Sequence, residues 1–272
     1  MATCTGSVFD VPTFCLVTGA SKGIGRGIAV ALADTIGEGS IMVLVARSET
    51  GLQETKLLIT SRRGGVEVRV YPSDLSDMIS LRSQIECFFS DVIPANFQHA
   101  IVIHNAGSVG DVSKTLREFN EPVKLQSYFD FNVTSTICIT SAFLTMFPKI
   151  DRLRRTVVNI SSLCGIQPFN FHSLYCSSKA ARDMLFKVLA AEEPDIRVVS
   201  YAPGPVNTDM RHEVEVALLT LGNTDMYTRL YTDLTAKGAV LTVEQTVGTL
   251  MKLLYEDSYD SGAHVDYYDV NK

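Results

Sequence analysis

The chain has 272 residues, 46% of them hydrophobic and 20% charged, with a formal net charge of −6. That balance excludes a disordered chain, which is poor in apolar side chains and rich in charge. It also excludes collagen, because the 18 Gly and 9 Pro follow no triplet period. An acidic chain has no bulk attraction for nucleic acid phosphates, so no nucleic acid partner is expected. No apolar run approaches the roughly 18–20 residues that span a bilayer, and residues 1–10 show no basic segment leading into an apolar one. A cytoplasmic protein without a membrane partner is expected. The six cysteines, Cys4, Cys15, Cys87, Cys138, Cys164 and Cys176, form no C-x-x-C pair and read as reduced, mostly buried thiols. The five histidines show no ligand spacing, so no metal site is expected.

Short apolar, β-rich runs alternate with longer helical patterns. Residues 13–18 read as a buried strand that leads into a helix near 24–36. A strand at 41–46 precedes a helix near 49–62, and a strand at 66–71 precedes one near 76–93. Strands at 100–104 and 156–160 flank a long helix at 122–147. A helix at 173–192 leads to a strand at 196–200, and a helix near 243–255 to a last strand at 262–266. Nearly continuous apolar strands belong to a sheet covered on both faces. Repeated β-α-β crossovers of one hand make it an α/β fold: a doubly wound parallel sheet of about seven strands with helices on both faces. No linker divides the chain, so one domain over 1–272 is expected. The segment 204–238 breaks the rhythm and reads as a helical insertion over the C-terminal edge of the sheet. Ligands bind at that edge in open α/β sheets, which makes the segment a candidate substrate lid.

The first strand runs into Thr18-Gly19-Ala20-Ser21-Lys22-Gly23-Ile24-Gly25. Its glycines permit a tight turn and a close approach of backbone to a pyrophosphate, and the helix that follows opens with free N–H groups and a positive dipole end. A glycine turn alone is weak evidence, but its place between strand and helix is the context that gives it meaning. With its G-x-x-x-G-x-G spacing, the chain resembles the short-chain dehydrogenase/reductase family, whose fold is of the Rossmann type. The likeness runs over nearly the whole chain. It takes in Asp74-Leu75, which match the family's adenine-contacting pair, and Asn105-Ala106-Gly107, with His104 standing where the family has a second Asn. It takes in Pro203-Gly204-Pro205-Val206-Asn207-Thr208, whose family counterpart passes the nicotinamide amide. The resemblance implies contacts to that amide from Val206 and Thr208.

An acid at the end of the second strand binds the ribose hydroxyls in NAD enzymes. Here that place reads Ala46-Arg47-Ser48. Arg47 can stack on adenine and pair with a 2′-phosphate, Ser48 can donate to it, and Lys22 adds charge nearby. The expected cofactor is NADPH/NADP+.

Ser162, Tyr175 and Lys179 carry the second signal. Tyr175 and Lys179 are four apart, on one face of a helix. By itself such a pair is commonplace, and Ser161 or Ser162 alone reads as a helix cap. In order, behind the glycine turn, they match the family's catalytic Ser and Tyr-x-x-x-Lys, with Asn132 as the helix Asn. The resemblance implies that Tyr175 gives the proton and Lys179 lowers its pKa and holds the ribose. Ser162 then stabilises the carbonyl oxygen, and Asn132 holds a water that links Lys179 to solvent.

The C-terminal run Ser261-Gly262-Ala263-His264-Val265-Asp266-Tyr267-Tyr268-Asp269 resembles that of the family's pterin-reducing members. Their aspartate at the position of Asp266 anchors the pterin, whose amino group and ring N–H form a flat donor pair that one carboxylate can accept. Leu163, Cys164, Gly204 and Met210 are the other candidates for the substrate wall. The implied activity is NADPH-dependent reduction of pterin side-chain carbonyls. A general carbonyl, steroid or 3-oxoacyl reductase keeps every catalytic residue and discards only the role of Asp266. A non-catalytic NADPH-binding sensor is the reading from another class, and the intact Ser, Tyr and Lys speak against it. The family also implies a homodimer paired through its long helices. Phe143, Leu144, Met146 and Phe147 suit either that surface or packing on the sheet.

Overall fold

The computed structural model describes residues 9–271, apart from 221, 223–227, 229–231 and 237. Its strands are β1 (Thr13–Thr18), β2 (Ser40–Ala46), β3 (Val66–Pro72), β4 (His99–His104), β5 (Arg154–Ile160), β6 (Ile196–Ala202) and β7 (Ala263–Asp266). All pair in parallel in one sheet, in the order β3-β2-β1-β4-β5-β6-β7. Every residue of β1 and β4 is buried, which is why these strands carry no polar alternation. Along β1 the side chains alternate between two cores, as a period of two requires. Cys15 and Val17 join Met42, Leu44, Ile101 and Ile103 on one face; Phe14 and Leu16 join Val43, Val45, Ala100 and Val102 on the other.

The first face is covered by α1 (Gly23–Ala33), α2 (Glu49–Arg62) and α9 (Val243–Glu256). The second is covered by α3 (Leu81–Phe88), α5 (Ser135–Met146) and α6 (Ser173–Glu192). Phe143 and Phe147 are wholly buried there, and the Phe147 ring packs against those of Phe14, Phe97 and Phe143. Their apolar surface therefore serves the sheet and not a protein partner. The large apolar side chains left exposed on α5 and α6 are Ile137, Met184 and Val188.

Three expectations change. The helix near 76–93 shrinks to α3, because the Asp77 carboxylate accepts the N–H groups of Ile79 and Ser80 and holds the preceding stretch in turns. The long helix at 122–147 is interrupted. It runs as α4 (Pro122–Phe129), then a widened π turn at Asp130–Thr134, then α5. In that turn Asn132 Nδ2 donates to the Tyr128 carbonyl (2.9 Å) and Ser135 Oγ to that of Phe131 (2.6 Å), back-bonds of the kind that loosen a helix. The cysteines are free but not mostly buried: Cys15 is buried, Cys138, Cys164 and Cys176 are half-buried, and Cys87 is exposed. Cys4 lies outside the described residues.

Within the segment 204–238, α7 (Asp209–Thr220) and α8 (Asp233–Ala236) are helical, and part of the remainder lies outside the described residues. Val214 and Leu218 of α7 close a small apolar cluster with Val109 and Val112, against which Tyr175 and Met210 pack.

Candidate active site

The strand order reverses between β1 and β4, and a groove of about 720 Å³ opens at their C-terminal ends. Asn105 fastens this junction. Its amide donates to the carbonyls of Thr18 (3.1 Å) and Gly19 (3.2 Å), while Thr18 Oγ1 accepts the N–H groups of Asn105 and Ala106. The chain leaves β1 through Gly19 and Gly23, both in the left-handed region at φ +68° and +56°. At Gly25 a Cβ would stand 2.2 Å from the Gly19 carbonyl oxygen, so only glycine lets α1 start this close to the turn. The N-cap of α1, Lys22, makes no side-chain cap hydrogen bond. The first N–H groups of the helix thus lack a side-chain acceptor and suit an anion.

Gly19, Ser21, Lys22, Gly23 and Ile24 line the groove with Arg47, Ser48, Leu75, Asn105, Ala106, Gly107 and Thr208. Several expected positions differ. Asp74 is exposed, its carboxylate turned onto the N–H and hydroxyl of Ser76, and Ser73 takes the place beside Leu75 in the lining. Pro203, Gly204 and Val206 are not part of the lining. Val206 is buried and pairs with Leu241, whose N–H and carbonyl bond Pro205 and Asn207, so that Asn207 and Thr208 reach the groove instead. Ser48 caps α2 by accepting from the Gly51 N–H, which leaves its hydroxyl proton to donate. Lys22 Nζ meets Asp209 Oδ2 at 2.6 Å, both exposed, and so spans the groove mouth between glycine turn and α7. Phe131, Asn207 and Asp209 line the groove without a sequence signal that singled them out.

Ser162 follows β5 and caps a 3-10 turn at Leu163–Gly165, accepting from the Cys164 N–H (3.2 Å). Its hydroxyl acts on the Tyr175 phenol, drawing its pKa down. Its rival Ser161 is buried, its Oγ without a hydrogen-bond partner among the described residues, and lies on the side of Gly165 and Asp183. Tyr175 and Lys179 share one face of α6, with Lys179 Nζ 5.4 Å from the tyrosine ring centre and donating to the Ile160 carbonyl at 2.6 Å. Burial pushes the Tyr175 phenol above its ordinary value, helped by Cys164 and Tyr128 and opposed by Arg182 and Ser162. Arg182 and Ser162 pull the phenol towards phenolate, beside the part that the resemblance gives to Lys179. Lys179 itself is held well below its ordinary value, by burial and by repulsion from Arg182.

Asn132 is buried, its Oδ1 accepting the Ser108 N–H (2.9 Å) and its Nδ2 bound to the Tyr128 carbonyl. Its side chain clamps the 107–110 loop to the π turn, using one of the two Nδ2 protons. Of the substrate candidates, Met210, in the first turn of α7, lines the groove. Leu163 is exposed, and burial raises the Cys164 thiol to about 12. Gly204 sits against Leu241, Tyr267 and Tyr268. Asp266 ends β7 in register with Ala202, at the same sheet edge but outside the groove lining. Its Oδ1 accepts the Tyr268 N–H (2.9 Å), capping α10 (Tyr267–Val270). His264 Nδ1 contacts Asp183 Oδ2 at 2.7 Å, and His104 Nε2 contacts Thr140 Oγ1 at 2.9 Å while its ring stacks on Phe186.

Residues 13–218 match the model of the short chain dehydrogenase family. The chain belongs to that family and is an oxidoreductase. It is 42% identical over 255 residues to the sepiapterin reductase of Meriones unguiculatus, a match that covers 94% of this chain and 96% of the relative. Against the sepiapterin reductase of Bos taurus the identity is 40% over 257 residues, covering 94% and 95%. A benzil reductase of Bacillus subtilis is 25% identical over 244 residues, covering 88% and 92%. Among solved structures, a short chain dehydrogenase of Shigella flexneri in complex with NADP superposes with a TM-score of 0.72 at 25% identity, covering 95% of this chain and 99% of that one. One of Escherichia coli in complex with NADPH gives 0.70 at 25%, covering 95% and 98%.

Gly25→Ala places a methyl carbon against the Gly19 carbonyl and forces the turn open. The expected result is a loss of dinucleotide affinity of about tenfold or more, equivalent to about 1.4 kcal/mol, read by fluorescence titration. Unchanged affinity would show that the turn does not cradle the ligand.

Proposed function

We propose that the protein is an NADPH-dependent reductase of pterin side-chain carbonyls, converting sepiapterin to dihydrobiopterin and 6-pyruvoyl-tetrahydropterin to tetrahydrobiopterin. The observation that carries this reading is the Ser162–Tyr175–Lys179 cluster beside a glycine-cradled groove, in a chain about 40% identical over nearly its whole length to sepiapterin reductases. The groove fits a phosphorylated dinucleotide. The uncapped start of α1 and the glycines that a Cβ would fill suit a pyrophosphate. Arg47 and Ser48, with no acid at the end of β2, suit a 2′-phosphate. Lys179 has spare N–H donors beyond its bond to Ile160, and these suit the ribose.

A bound NADPH supplies hydride to the carbonyl carbon. The chain supplies the proton. Tyr175 is held protonated by its buried setting and gives its phenolic proton to the carbonyl oxygen. Ser162 donates to that oxygen as negative charge grows on it. Lys179, poised below its ordinary value, returns a proton to the phenolate. The Val214–Leu218 face of α7, packed with Val109 and Val112 beside Tyr175, keeps water from the reacting atoms. Asp266 accepts from the pterin amino group and ring N–H through carboxylate lone pairs beyond those that cap the Tyr268 and Asp269 N–H groups. One fixed ring and a pivoting side chain then present neighbouring carbonyls in turn. The reading includes a cytoplasmic homodimer, and the exposed Ile137, Met184 and Val188 on α5 and α6 support such a pairing face.

A general carbonyl reductase is the second reading, favoured by the benzil reductase relative. Oxidation of NADPH with sepiapterin, beside a small vicinal diketone, separates the two. Wild type is expected to prefer sepiapterin, and Asp266→Ala to raise KM for sepiapterin about tenfold, the weight of one charge-assisted anchor, with the diketone unchanged. Equal losses on both substrates would favour the general reductase. Tyr175→Phe is expected to lower kcat by about 100- to 10,000-fold while NADPH still binds; activity near wild type would remove Tyr175 from the mechanism. KM for NADPH is expected to lie at least about tenfold below that for NADH, the effect of one charged phosphate contact, and a clear NADH preference would overturn the role of Arg47.

A further inference from the structure

Arg182 is a cation that the mechanism above does not use. It stands one turn beyond Lys179 and two beyond Tyr175 on α6, and it is 1% exposed. Its Nε donates to Asn159 Oδ1 (2.8 Å), its Nη1 to the Ala106 carbonyl (3.0 Å) and its Nη2 to the His104 carbonyl (2.6 Å). All three acceptors are neutral. Among the described residues no carboxylate oxygen forms an ion pair with it; Asp183 is reached only through Asn159, whose Nδ2 donates to Asp183 Oδ1 at 3.0 Å. A guanidinium sealed away from water without a directly bonded anion is a large desolvation burden, and an apolar side chain of similar volume would fill the space without it.

The geometry shows what this cation faces. A Cβ added at Gly107 would stand 3.9 Å from Arg182 Nη1, 3.9 Å from Lys179 Nζ and 3.3 Å from Asn132 Oδ1. The guanidinium, the ammonium and the clamp amide therefore converge behind the Ala106–Gly107 turn, and Gly107 is part of the groove lining. We propose that Arg182 is the positioning residue of the proton-transfer step: a permanent interior cation that fixes the Ala106–Gly107 turn and biases the Tyr175–Lys179 pair by its charge. The inference rests on Tyr175 being the proton donor.

The titratable and charged groups around it are Tyr175, Lys179 and Asp183 on α6, His104 at the end of β4, Tyr128 on α4, Cys164 after β5, and His264 on β7 behind Asp183. Burial lowers Arg182 itself to about 10, against upward pulls from Tyr175, Asp183 and Tyr128, so it stays charged at neutral pH. Its charge draws both Tyr175 and Lys179 downwards. Removing it raises both, which moves the alkaline loss of proton donation to higher pH and makes the phenol a weaker acid at neutral pH. A brace that only held the fold would lower melting temperature or kcat without moving that limb.

The test is kcat against pH for carbonyl reduction by wild type, Arg182→Met and Arg182→Lys, with NADPH affinity and melting temperature measured beside it. In Arg182→Met the alkaline limb is expected to rise by about one pH unit and neutral kcat to fall about tenfold, the scale of one neighbouring charge. Arg182→Lys keeps the charge and loses the fork, so its limb is expected within about 0.3 unit of wild type. A folded Arg182→Met with an unmoved limb overturns the inference. If Arg182→Met does not fold, Arg182→Gln, which keeps hydrogen-bond donors without the charge, decides: a limb raised by about one pH unit supports the inference, and an unmoved limb overturns it. A wild-type chain that reduces no carbonyl overturns the functional reading and the inference with it. Turnover with unmoved limbs overturns the inference alone.

Discussion

The bond from the Asn105 amide to the carbonyls of Thr18 and Gly19 is the constraint on which the rest of the site depends. β1 and β4 are neighbours whose crossovers leave in opposite directions, so their C-terminal ends would part without a tie. Asn105 and Thr18 supply that tie with backbone and side-chain donors on one acceptor set. Gly25 then lets α1 begin against the tied turn. Groove, helix start and glycine turn are one rigid unit because each fills the space the others leave.

On the other side of β4, a second tie holds the reactive groups. Arg182 joins the ends of β4 and β5 to α6 through His104, Ala106 and Asn159, and Asn132 joins the same loop to the π turn through Ser108. Tyr175 and Lys179 are spaced by one helical turn, so fixing α6 at Arg182 fixes both. Their protonation follows from the same burial: the phenol is pushed up and the ammonium down, which moves the two apart and favours passage of a proton from Lys179 to a Tyr175 phenolate. α7 packs beside them through Val214 and Leu218, which meet Val109 and Val112, and through one exposed ion pair, Lys22–Asp209. Exposed pairs contribute about 0–1 kcal/mol, so the apolar cluster is the stronger of the two contacts.

The centre of the sheet was legible in the sequence because β1, β2 and β4 are covered on both faces and so read as nearly unbroken apolar runs, whereas the edge strand β3 alternates with Glu67 and Arg69. The glycine turn and the Tyr-x-x-x-Lys pair were legible because each acts within one local element, where spacing fixes geometry. The interruption at Asp130–Thr134 was not, since the run from 122 to 147 has no Pro or Gly inside it to mark a break. The break arises from side-chain back-bonds of Asn132 and Ser135, and whether such groups bond the backbone or solvent depends on what packs against them.

The sequence by itself determined the order of strands and helices, which follows from periodicity, and through the resemblance of its motifs to the oxidoreductase family it named the residues from which a site is built. Tertiary structure alone decided which of those residues meet. It turned Asp74 outwards and gave the groove Ser73; it hid Val206 and brought Asn207 and Thr208 forward. It also revealed Arg182, an ordinary helix-former in the sequence, as a buried charge that touches the ends of two strands. Burial and long-range electrostatics depend on side chains far apart in the chain, and no local pattern carries them.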